Sequence, residues 1–306
     1  MASNVVTVFG GSGFLGRRIV EHLAAAGNHV RVAVRHPDRA SIPRQTDRDG
    51  RIEPVRADVW DEATVAPAVA GAGSVINTVG HYVERRGATF DDIHGQGALH
   101  VARQAKQAGA ERLIHISGLG ADTESDSPYV RARGIGERLV KDAFDDVTIL
   151  RPSVIFGPGD AFLNRLAALA QQSPVLPLFG RGRTRLQPVF AGDVAEACEK
   201  ALANPSARGG VYELGGPRVY AYRELVRLVV DGIGRRTVLL PVPFLVWDVL
   251  AAAAALHPAP PLTRDQVKLM KRDNVVAPQA LTLEDLDIRP TSVEEALPAC
   301  IGATPR

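Results

Sequence analysis

The chain has 306 residues, of which 45% are hydrophobic and 23% are charged. This length and composition provide a buried core and exclude a disordered or fibrous protein. The formal net charge is only +2, which excludes the strongly basic field typical of nucleic-acid-binding proteins. Cys198 and Cys300 form no Cys-x-x-Cys pair, and no His-Glu-x-x-His spacing occurs, so neither a disulfide scaffold nor a metal site is predicted.

The two ends of the chain suggest where the protein resides. The first predicted strand begins at Val5, which leaves no room ahead of it for a signal or transit peptide. We therefore expect a cytoplasmic protein, with peripheral attachment to the inner face of the plasma membrane as the alternative. The longest apolar stretch, Val238 to Leu256, is broken by two prolines and an aspartate. Its helical part begins at Phe244 and extends about 20 Å, which is too short for a bilayer core of roughly 30 Å.

Short runs of β-branched residues alternate with helical patterns through the first half of the chain. The predicted strands are Val5–Phe9, His29–Val34, Ile52–Val55, Ser74–Thr78, Arg112–Ile116 and Val147–Leu150. The predicted helices between them are Phe14–Ala26, Glu62–Ala70, Ala88–Ala108 and Tyr129–Phe144. The strands lack polar alternation, which indicates a sheet buried on both faces, and the repeated strand–helix–strand order indicates parallel strands. The predicted fold class is therefore α/β, a doubly wound parallel sheet of Rossmann type with a smaller C-terminal α/β lobe.

The second half of the chain is less regular. Its predicted elements are a strand at Val211–Leu214 and helices at Leu163–Gln172, Asp193–Ala203, Arg223–Ile233, around Trp247, at Arg264–Met270 and at Val293–Ala299. We predict a dinucleotide-binding domain over residues 1–160, to which residues 187–216 return, and a smaller lobe built from residues 161–186 and 217–306. The lobe is expected at the carboxyl ends of the strands, where such folds bind ligands. The apolar helix around Trp247 is expected in the core, with a partner-binding or membrane-binding surface as the alternative.

A glycine-rich loop separates the first predicted strand from the first predicted helix. Gly10, Gly13 and Gly16 have the G-x-x-G-x-x-G spacing. The early glycines allow a tight turn and a close backbone approach to a pyrophosphate, while Gly16 lets the helix pack closely on the sheet. The N-terminus of the helix also favours negative charge. The loop therefore predicts a dinucleotide site with the cofactor-binding residues Gly10, Ser12, Gly13, Phe14, Leu15 and Gly16.

The residues after the second strand distinguish the two nicotinamide dinucleotides. An NAD-binding site has Asp or Glu there, which accepts a hydrogen bond from the ribose 2′-hydroxyl. This chain has Arg35 and His36 instead, and a guanidinium binds a 2′-phosphate through charge-assisted bonds. The sequence therefore favours NADP(H), with NAD(H) as the alternative and Arg17 or Arg18 as an assisting cation. The alternative is that Arg35 is a solvated surface arginine that contacts no ligand.

Two segments after the third and fourth strands complete the predicted site. Asp58, followed by Val59, is placed to accept a hydrogen bond from the adenine amino group. Thr78, Val79 and Gly80 come where a glycine permits close backbone approach to a ligand. Each segment alone is unremarkable, and their common position after strands supports the prediction.

These residues resemble the extended and atypical short-chain dehydrogenase/reductases. The resemblance rests on the glycine loop, Asp58, Asn77–Gly80, Ser117, Tyr129, Arg133 and Arg151–Pro158. More narrowly, the chain resembles the nicotinamide-binding accessory subunit of respiratory complex I and its bacterial relatives, in Leu113–Ser117, Tyr129–Glu137, Phe162–Asn164, Gln187–Val189 and Leu262–Asp265. The resemblance extends over nearly the whole chain. It implies that Tyr129, Arg133 and Pro152 also bind the cofactor.

Catalysis in the wider family uses a Tyr-x-x-x-Lys pair on one helix together with a serine. The lysine lowers the pKa of the phenol and holds the nicotinamide ribose, the serine orients the substrate carbonyl, and the tyrosine transfers a proton. The resemblance places Ser117, Tyr129 and Arg133 at these three positions. Arginine keeps the charge and can bind ribose, but it does not readily give up its proton. Two readings therefore remain equal: catalysis, or a bound cofactor that does not turn over.

The resemblance to the complex I subunit implies a structural or regulatory role. In that role the bound dinucleotide stabilises the fold, and the C-terminal lobe docks on complex I subunits or a membrane surface. The alternative is an NADP-dependent oxidoreductase or epimerase for a small or lipophilic carbonyl compound, and a third hypothesis is a dinucleotide sensor. His81, Tyr82 and His94 are weaker candidates for a substrate cleft, because lone histidines usually have structural roles. We expect no nucleic-acid partner and no metal.

Overall fold

The computed structural model describes residues 4–42, 51–84, 87–257, 260 and 262–301. The chain forms two compact units. The first unit comprises Met1–Pro152, Ala191–Leu214 and Pro278–Arg289, and the second comprises Ser153–Phe190, Gly215–Ala277 and Pro290–Arg306.

The strands and helices follow the order in which the sequence alternates. The strands are β1 (Val5–Phe9), β2 (His29–Val34), β3 (Ile52–Arg56), β4 (Ser74–Asn77), β5 (Arg112–Ile116), β6 (Thr148–Pro152), β7 (Ile155–Phe156), β8 (Val175–Phe179), β9 (Arg185–Leu186), β10 (Val189–Phe190), β11 (Val211–Leu214), β12 (Tyr220–Ala221) and β13 (Val238–Val242). The α-helices are α1 (Phe14–Ala25), α2 (Glu62–Val69), α3 (Ala98–Gln107), α4 (Pro128–Ala143), α5 (Phe162–Gln172), α6 (Ala191–Ala203), α7 (Tyr222–Gly232), α8 (Phe244–Ala254), α9 (Arg264–Leu269) and α10 (Val293–Ile301).

A seven-stranded sheet forms the centre of the first unit. Its strand order is β11-β6-β5-β4-β1-β2-β3, and every neighbouring pair is parallel. Helices cover both faces, which is why the strands are apolar runs without polar alternation. The order reverses between β1 and β4, and in such sheets ligands bind at the carboxyl ends of the strands near this reversal. The predicted doubly wound α/β fold is confirmed.

The single helix predicted from Ala88 to Ala108 is wrong in its first part. Residues Asp91–Gly97 form a π-helical segment, and the α-helix begins only at Ala98. This segment packs closely against α4, because a Cβ on Gly136 would lie 1.9 Å from the carbonyl oxygen of His94. Helical periodicity does not distinguish a π-helical turn from an α-helical one, so no local pattern marks the change.

The helix that carries most of the predicted site has a clear start signal. The hydroxyl of Ser127 accepts a hydrogen bond from the Val130 N–H at 3.3 Å, and Pro128 occupies the first helical turn. Both features are favoured at helix N-termini. The side-chain oxygen accepts a hydrogen bond from a backbone N–H that has no partner within the helix, and proline has no N–H that would need a partner. They fix where α4 begins and thus which of its residues face the sheet.

The second unit has its own apolar core, formed mainly by side chains of α5, α7, α10 and β8. Three two-stranded pieces surround it: β7 with β10, β8 with β13, and β9 with β12. The sequence did not predict these strands. Most of them have only two residues. The two longer strands, β8 and β13, contain Pro177 and Pro241, and proline is tolerated in the edge strands of a small sheet.

Helix α8 is not the core helix that its composition predicts. Of its residues only Ala251 is buried, whereas Leu245 and Val249 are 75% and 61% exposed. Among the described residues, no helix combines the length and the apolar character needed to cross a bilayer.

Candidate functional site

The glycine loop connects β1 to α1 and depends on contacts that only glycine permits. Gly10 adopts a φ of +77°, and a Cβ on Gly16 would lie 2.1 Å from the Gly10 carbonyl oxygen. That same oxygen accepts a hydrogen bond from the Gly13 N–H at 2.9 Å. Gly13, the N-cap residue of α1, has no side chain with which to cap the helix, and the first turn contains no acidic residue. The positive end of the α1 dipole is therefore suited to an anion such as a pyrophosphate.

The end of β4 is tied to the glycine loop. The backbone N–H and the hydroxyl of Thr78 both donate to the Phe9 carbonyl oxygen, at 3.0 and 2.8 Å. A Cβ on Gly10 would lie 2.7 Å from the Thr78 hydroxyl oxygen, so this contact also requires glycine. The structure thus brings together Gly10 and Thr78, two of the predicted cofactor-binding residues.

The remaining predicted residues on this side of the sheet follow β2 and β3. Arg35 and His36 come directly after β2, and both are exposed. Asp58 comes shortly after β3, where one of its carboxylate oxygens accepts a hydrogen bond from the Trp60 N–H at 3.1 Å. Val59, the next residue, is buried. All four lie at the carboxyl edge of the sheet, the same edge as the glycine loop.

A buried group of unpartnered polar atoms lies after β5 and on α4. The hydroxyl oxygen of Ser117 and two guanidinium nitrogens of Arg133, Nε and Nη1, are buried and have no hydrogen-bond partner among the residues that the structure describes. Glycines approach the guanidinium: a Cβ on Gly118 would lie 3.5 Å from Nη1, and one on Gly80 would lie 3.4 Å from Nη2. An unsatisfied buried polar group costs about 1–3 kcal/mol, so such a group is expected where a ligand supplies the missing partners.

Tyr129 lies among other aromatic rings next to this group. Its ring centroid is 5.4 Å from each of those of Tyr82, Phe90 and His94, with Tyr82 stacked and the other two edge-on. The Cζ of Arg133 is 4.9 Å from the centroid of the Tyr129 ring. Burial raises the pKa of Tyr129 far above its usual value, and the positive charge of Arg133 opposes this only in part. The phenol is therefore protonated at neutral pH.

Two buried histidines near Arg133 are uncharged. Burial, helped by the charge of Arg133, lowers the pKa of His94 to about 3. Burial likewise lowers the pKa of His115 to about 4, although Glu137 acts in the opposite direction. The His94 Nε2 lies 3.0 Å from the carbonyl oxygen of His81, which suits a neutral ring that donates from this nitrogen. Among the described residues of this group, Arg133 therefore carries the positive charge.

Glu137, one helical turn after Arg133, is paired with a different arginine. Arg151 donates from Nε and Nη2 to the two carboxylate oxygens of Glu137, at 2.9 and 2.6 Å. The Nη1 of Arg151 also lies 3.6 Å from Glu213. Because Arg151 occupies both oxygens of Glu137, the nitrogens Nε and Nη1 of Arg133 remain available to a ligand.

Sequence reasoning missed some of these residues. The four-residue spacing from Arg133 is a signal that identifies Glu137 as a neighbour on the same helix face. No comparable signal points to Phe90 or Arg151, because folding alone brings them to the site. Pro152, predicted to bind the cofactor, is buried at the end of β6, and its carbonyl oxygen accepts a hydrogen bond from the Leu119 N–H at 3.1 Å.

Comparison with known proteins identifies the family. Residues 6–215 match the model of the NAD dependent epimerase/dehydratase family. The chain belongs to this family. The matched range contains the glycine loop and all the candidate site residues described above, which confirms the resemblance seen in the sequence. Within the part of the chain that the structure describes, no group of three or more His, Cys, Asp or Glu side chains is arranged to hold a metal ion.

Curated relatives include subunits of respiratory complex I and a reductase. Alpha subcomplex subunit 9 of mitochondrial NADH dehydrogenase (ubiquinone) 1 from Dictyostelium discoideum is 32% identical over 96% of this chain and 83% of its own length. The subunit of the same name from Arabidopsis thaliana is 35% identical over 94% of this chain and 74% of its own length. A ceramide reductase from Caulobacter vibrioides is 32% identical over 79% of this chain and 74% of its own length.

The mitochondrial relatives contradict the cytoplasmic prediction. Both complex I subunits are named as mitochondrial proteins, so the cytoplasmic prediction is wrong for the relatives on which it would have to hold. The prediction depends on the few residues ahead of β1, and these residues do not determine a compartment.

Solved structures support the fold. A nucleoside-diphosphate-sugar epimerase from Staphylococcus aureus superposes with a TM-score of 0.76 at 18% identity, covering 96% of this chain and 99% of its own. MoeE5 in complex with UDP-glucose and NAD superposes with a TM-score of 0.72 at 19% identity, covering 97% of each chain. Similarity at this level of identity establishes the Rossmann-type fold alone.

Proposed function

We propose that this chain binds NADP(H), associates with respiratory complex I and holds the dinucleotide without turning it over. The observation that carries the proposal is the environment of Arg133. Its guanidinium lies over the Tyr129 ring, and two of its nitrogens are buried without a partner in the described part of the chain. A binding site for a polar ligand explains these atoms, whereas the arginine itself is a poor substitute for the lysine of the catalytic pair.

The residues present fit a dinucleotide. The pyrophosphate would be held at the start of α1, where Gly16 and Gly10 leave no room for a side chain. The nicotinamide riboside would form hydrogen bonds with the Ser117 hydroxyl and with Nε and Nη1 of Arg133. A bound nicotinamide supplies a hydride donor or acceptor. The proposed binding residues are Gly10, Ser12, Gly13, Phe14, Leu15, Gly16, Arg35, His36, Asp58, Val59, Thr78, Val79, Gly80, Tyr129, Arg133 and Pro152.

The preference for NADP(H) rests on Arg35. It is exposed at the carboxyl end of β2, where an acidic residue would serve NAD(H). We expect Arg35→Asp to weaken binding of NADPH more than binding of NADH. The matched control is Arg208→Asp, an exposed arginine before β11 and thus near the opposite, amino edge of the parallel sheet. Equal losses for both dinucleotides in Arg35→Asp would show that Arg35 does not contact a 2′-phosphate.

The proposal that the cofactor is not turned over rests on Tyr129. Its pKa is raised by burial, and Arg133 stands where the family has a lysine that relays protons. We expect the wild-type chain to oxidise NADPH no faster than Tyr129→Phe does with a panel of small and lipophilic carbonyl compounds. Any compound that the wild type reduces and the variant does not would overturn this part of the proposal.

The second candidate function is an NADP-dependent reductase of a lipophilic carbonyl compound. The similarity to a ceramide reductase favours it, and Ser117 and Tyr129 are both retained. In this function Tyr129 would act as the acid and Ser117 would orient the carbonyl group. The same NADPH oxidation assay decides between the two candidates.

Association with complex I is tested by native fractionation. Membrane complexes from the source organism would be solubilised and separated by size, and each fraction probed for this chain and for NADH:quinone activity. The proposal predicts that the chain co-migrates with the activity after a salt wash. Recovery of the chain only in small soluble fractions would contradict the proposal and favour a free reductase.

A further inference from the structure

Helix α8 of the second unit is fixed to its neighbours by one face. The indole Nε1–H of Trp247 donates to the Leu178 carbonyl oxygen at 3.1 Å, and the ring centroids of Trp247 and Phe179 are 4.4 Å apart. Ala251, one turn further along, is buried. Residues four apart share a helix face, so Trp247 and Ala251 define the inner face of α8.

The opposite face of α8 is apolar and exposed. Leu245 is 75% exposed, Val246 44%, Val249 61% and Leu250 49%. These positions form two neighbouring rows with a spacing of four, and therefore one continuous stripe. We call this stripe the outer face of α8. Soluble proteins rarely expose so many large apolar side chains together unless the surface binds something.

The strand that leads into α8 also exposes apolar side chains. Strand β13 pairs in parallel with β8, and Val238 and Leu240 are opposite Val175 and Pro177. Val238 and Leu240 are 63% and 50% exposed, and Val175 is 38% exposed. Alternate residues of a strand share one face, so these side chains lie on the same exposed side of the strand pair.

Basic side chains flank these apolar elements. Arg235 and Arg236 are exposed directly before β13. Helix α9 packs on α8, and the Lys271 that follows it lies 2.8 Å from Asp248, the one charged residue of α8. Arg272 is exposed beside it. Across the second unit Lys and Arg outnumber Asp and Glu, whereas the reverse holds in the first unit.

We propose that the outer face of α8 binds the surface of an anionic phospholipid bilayer. Its apolar side chains would enter the boundary between headgroups and acyl chains, while Arg235 and Arg236 contact lipid phosphates. With 11 residues, α8 is long enough to lie in this boundary and too short to span the bilayer. The sequence alone argued against this, because α8 has no basic residue of its own. The structure places exposed basic residues directly before β13 and shortly after α9.

A protein partner fits these observations less well. Protein interfaces are enriched in Tyr, Trp and Arg at their centre and contain hydrogen bonds across the contact. The outer face of α8 offers only aliphatic side chains, which cannot form such bonds. Aliphatic side chains surrounded by basic ones are typical of helices that lie in a lipid interface.

The test is sedimentation of the full chain with lipid vesicles. We expect binding to vesicles of phosphatidylcholine mixed with phosphatidylglycerol, little binding to phosphatidylcholine alone, and a decrease with added salt. Leu245→Asp should weaken binding by about tenfold or more, because a charge replaces an inserted leucine. The control Leu281→Asp, at an exposed leucine of the first unit, should leave binding unchanged.

A second variant tests the electrostatic part and does not depend on α8. Replacing both Arg235 and Arg236 with alanine should weaken vesicle binding by about 25-fold, since each basic residue near an anionic surface contributes about fivefold. NADPH binding should be unchanged in all three variants, which separates this proposal from the dinucleotide site. Failure of the wild type to bind anionic vesicles, or equal binding by Leu245→Asp, would overturn it. Loss of complex I co-migration in Leu245→Asp without any vesicle binding would instead identify a protein partner.

Discussion

Replacement of Arg151 tests how the protein keeps Arg133 available to a ligand. In Arg151→Met, the Glu137 carboxylate loses two charge-assisted hydrogen bonds of 2.9 and 2.6 Å while its side chain stays 5% exposed. Removing one partner of a buried ion pair costs about 3–5 kcal/mol, and because Arg151 is 24% exposed we expect the lower end of that range, about 3 kcal/mol. Dinucleotide affinity should also fall, since the unpaired Glu137 can now bind Arg133.

Urea unfolding and NADPH titration of a double-mutant cycle measure both effects. The double variant Glu137→Gln with Arg151→Met leaves no unpaired charge at residue 137, so it should recover much of the stability and most of the affinity lost in Arg151→Met. If the double variant binds NADPH as weakly as Arg151→Met does, pairing with Glu137 does not control the availability of Arg133. The reasoning would then be wrong.

Two further predictions concern packing and pH. Gly16→Ala should lower the free energy of unfolding by about 1–3 kcal/mol and weaken NADPH binding, because its Cβ would lie 2.1 Å from the Gly10 carbonyl oxygen. Gly95→Ala, whose Cβ meets no atom within 4 Å, should cost nothing, and equal losses in both variants on urea unfolding would refute the packing argument. The neutral buried His94 and His115 should make the fold most stable above pH 6.5, with stability falling as pH decreases toward 4, because only the unfolded chain then binds their protons. The slope should approach about 1.4 kcal/mol per pH unit for each histidine, and an unchanged slope in His94→Gln would contradict this assignment.

The strands of the central sheet were predicted well because their local residue patterns are typical of buried parallel strands. β1 is a β-branched run that ends in Phe9 before a glycine, β2 has valine at every second position after Asn28, and the predicted ends of both agree with the structure. The strands of the second unit show no such pattern. Pro177 and Pro241 interrupt the apolar runs of β8 and β13, and proline usually argues against a strand. These strands form through pairing with each other, which a local pattern does not show.

The candidate site shows the same division between local and tertiary information. The glycine loop is local, so its residues were found from spacing alone. Tyr129 and Arg133 were found from one helix and a family resemblance. The pairing of Glu137 with Arg151 and the contact of Phe90 with Tyr129 join distant segments, so the sequence contained no pattern for them.

The surface of α8 was misjudged for a related reason. Its composition is apolar at nearly every position, and such a helix is usually buried. Whether a neighbour covers it depends on the packing of the whole unit. Leu245 is exposed because only the side of α8 that contains Trp247 meets β8.

The measurement that tests the central claim most directly is a calorimetric titration of the purified chain with NADPH and with NADH. The account predicts saturable binding of one dinucleotide per chain, tighter for NADPH by about tenfold or more because of the charge-assisted contact to Arg35. It also predicts that Gly16→Ala weakens both titrations. If the wild-type chain binds neither dinucleotide, the buried unpartnered atoms of Ser117 and Arg133 have another explanation, and the proposed function is wrong.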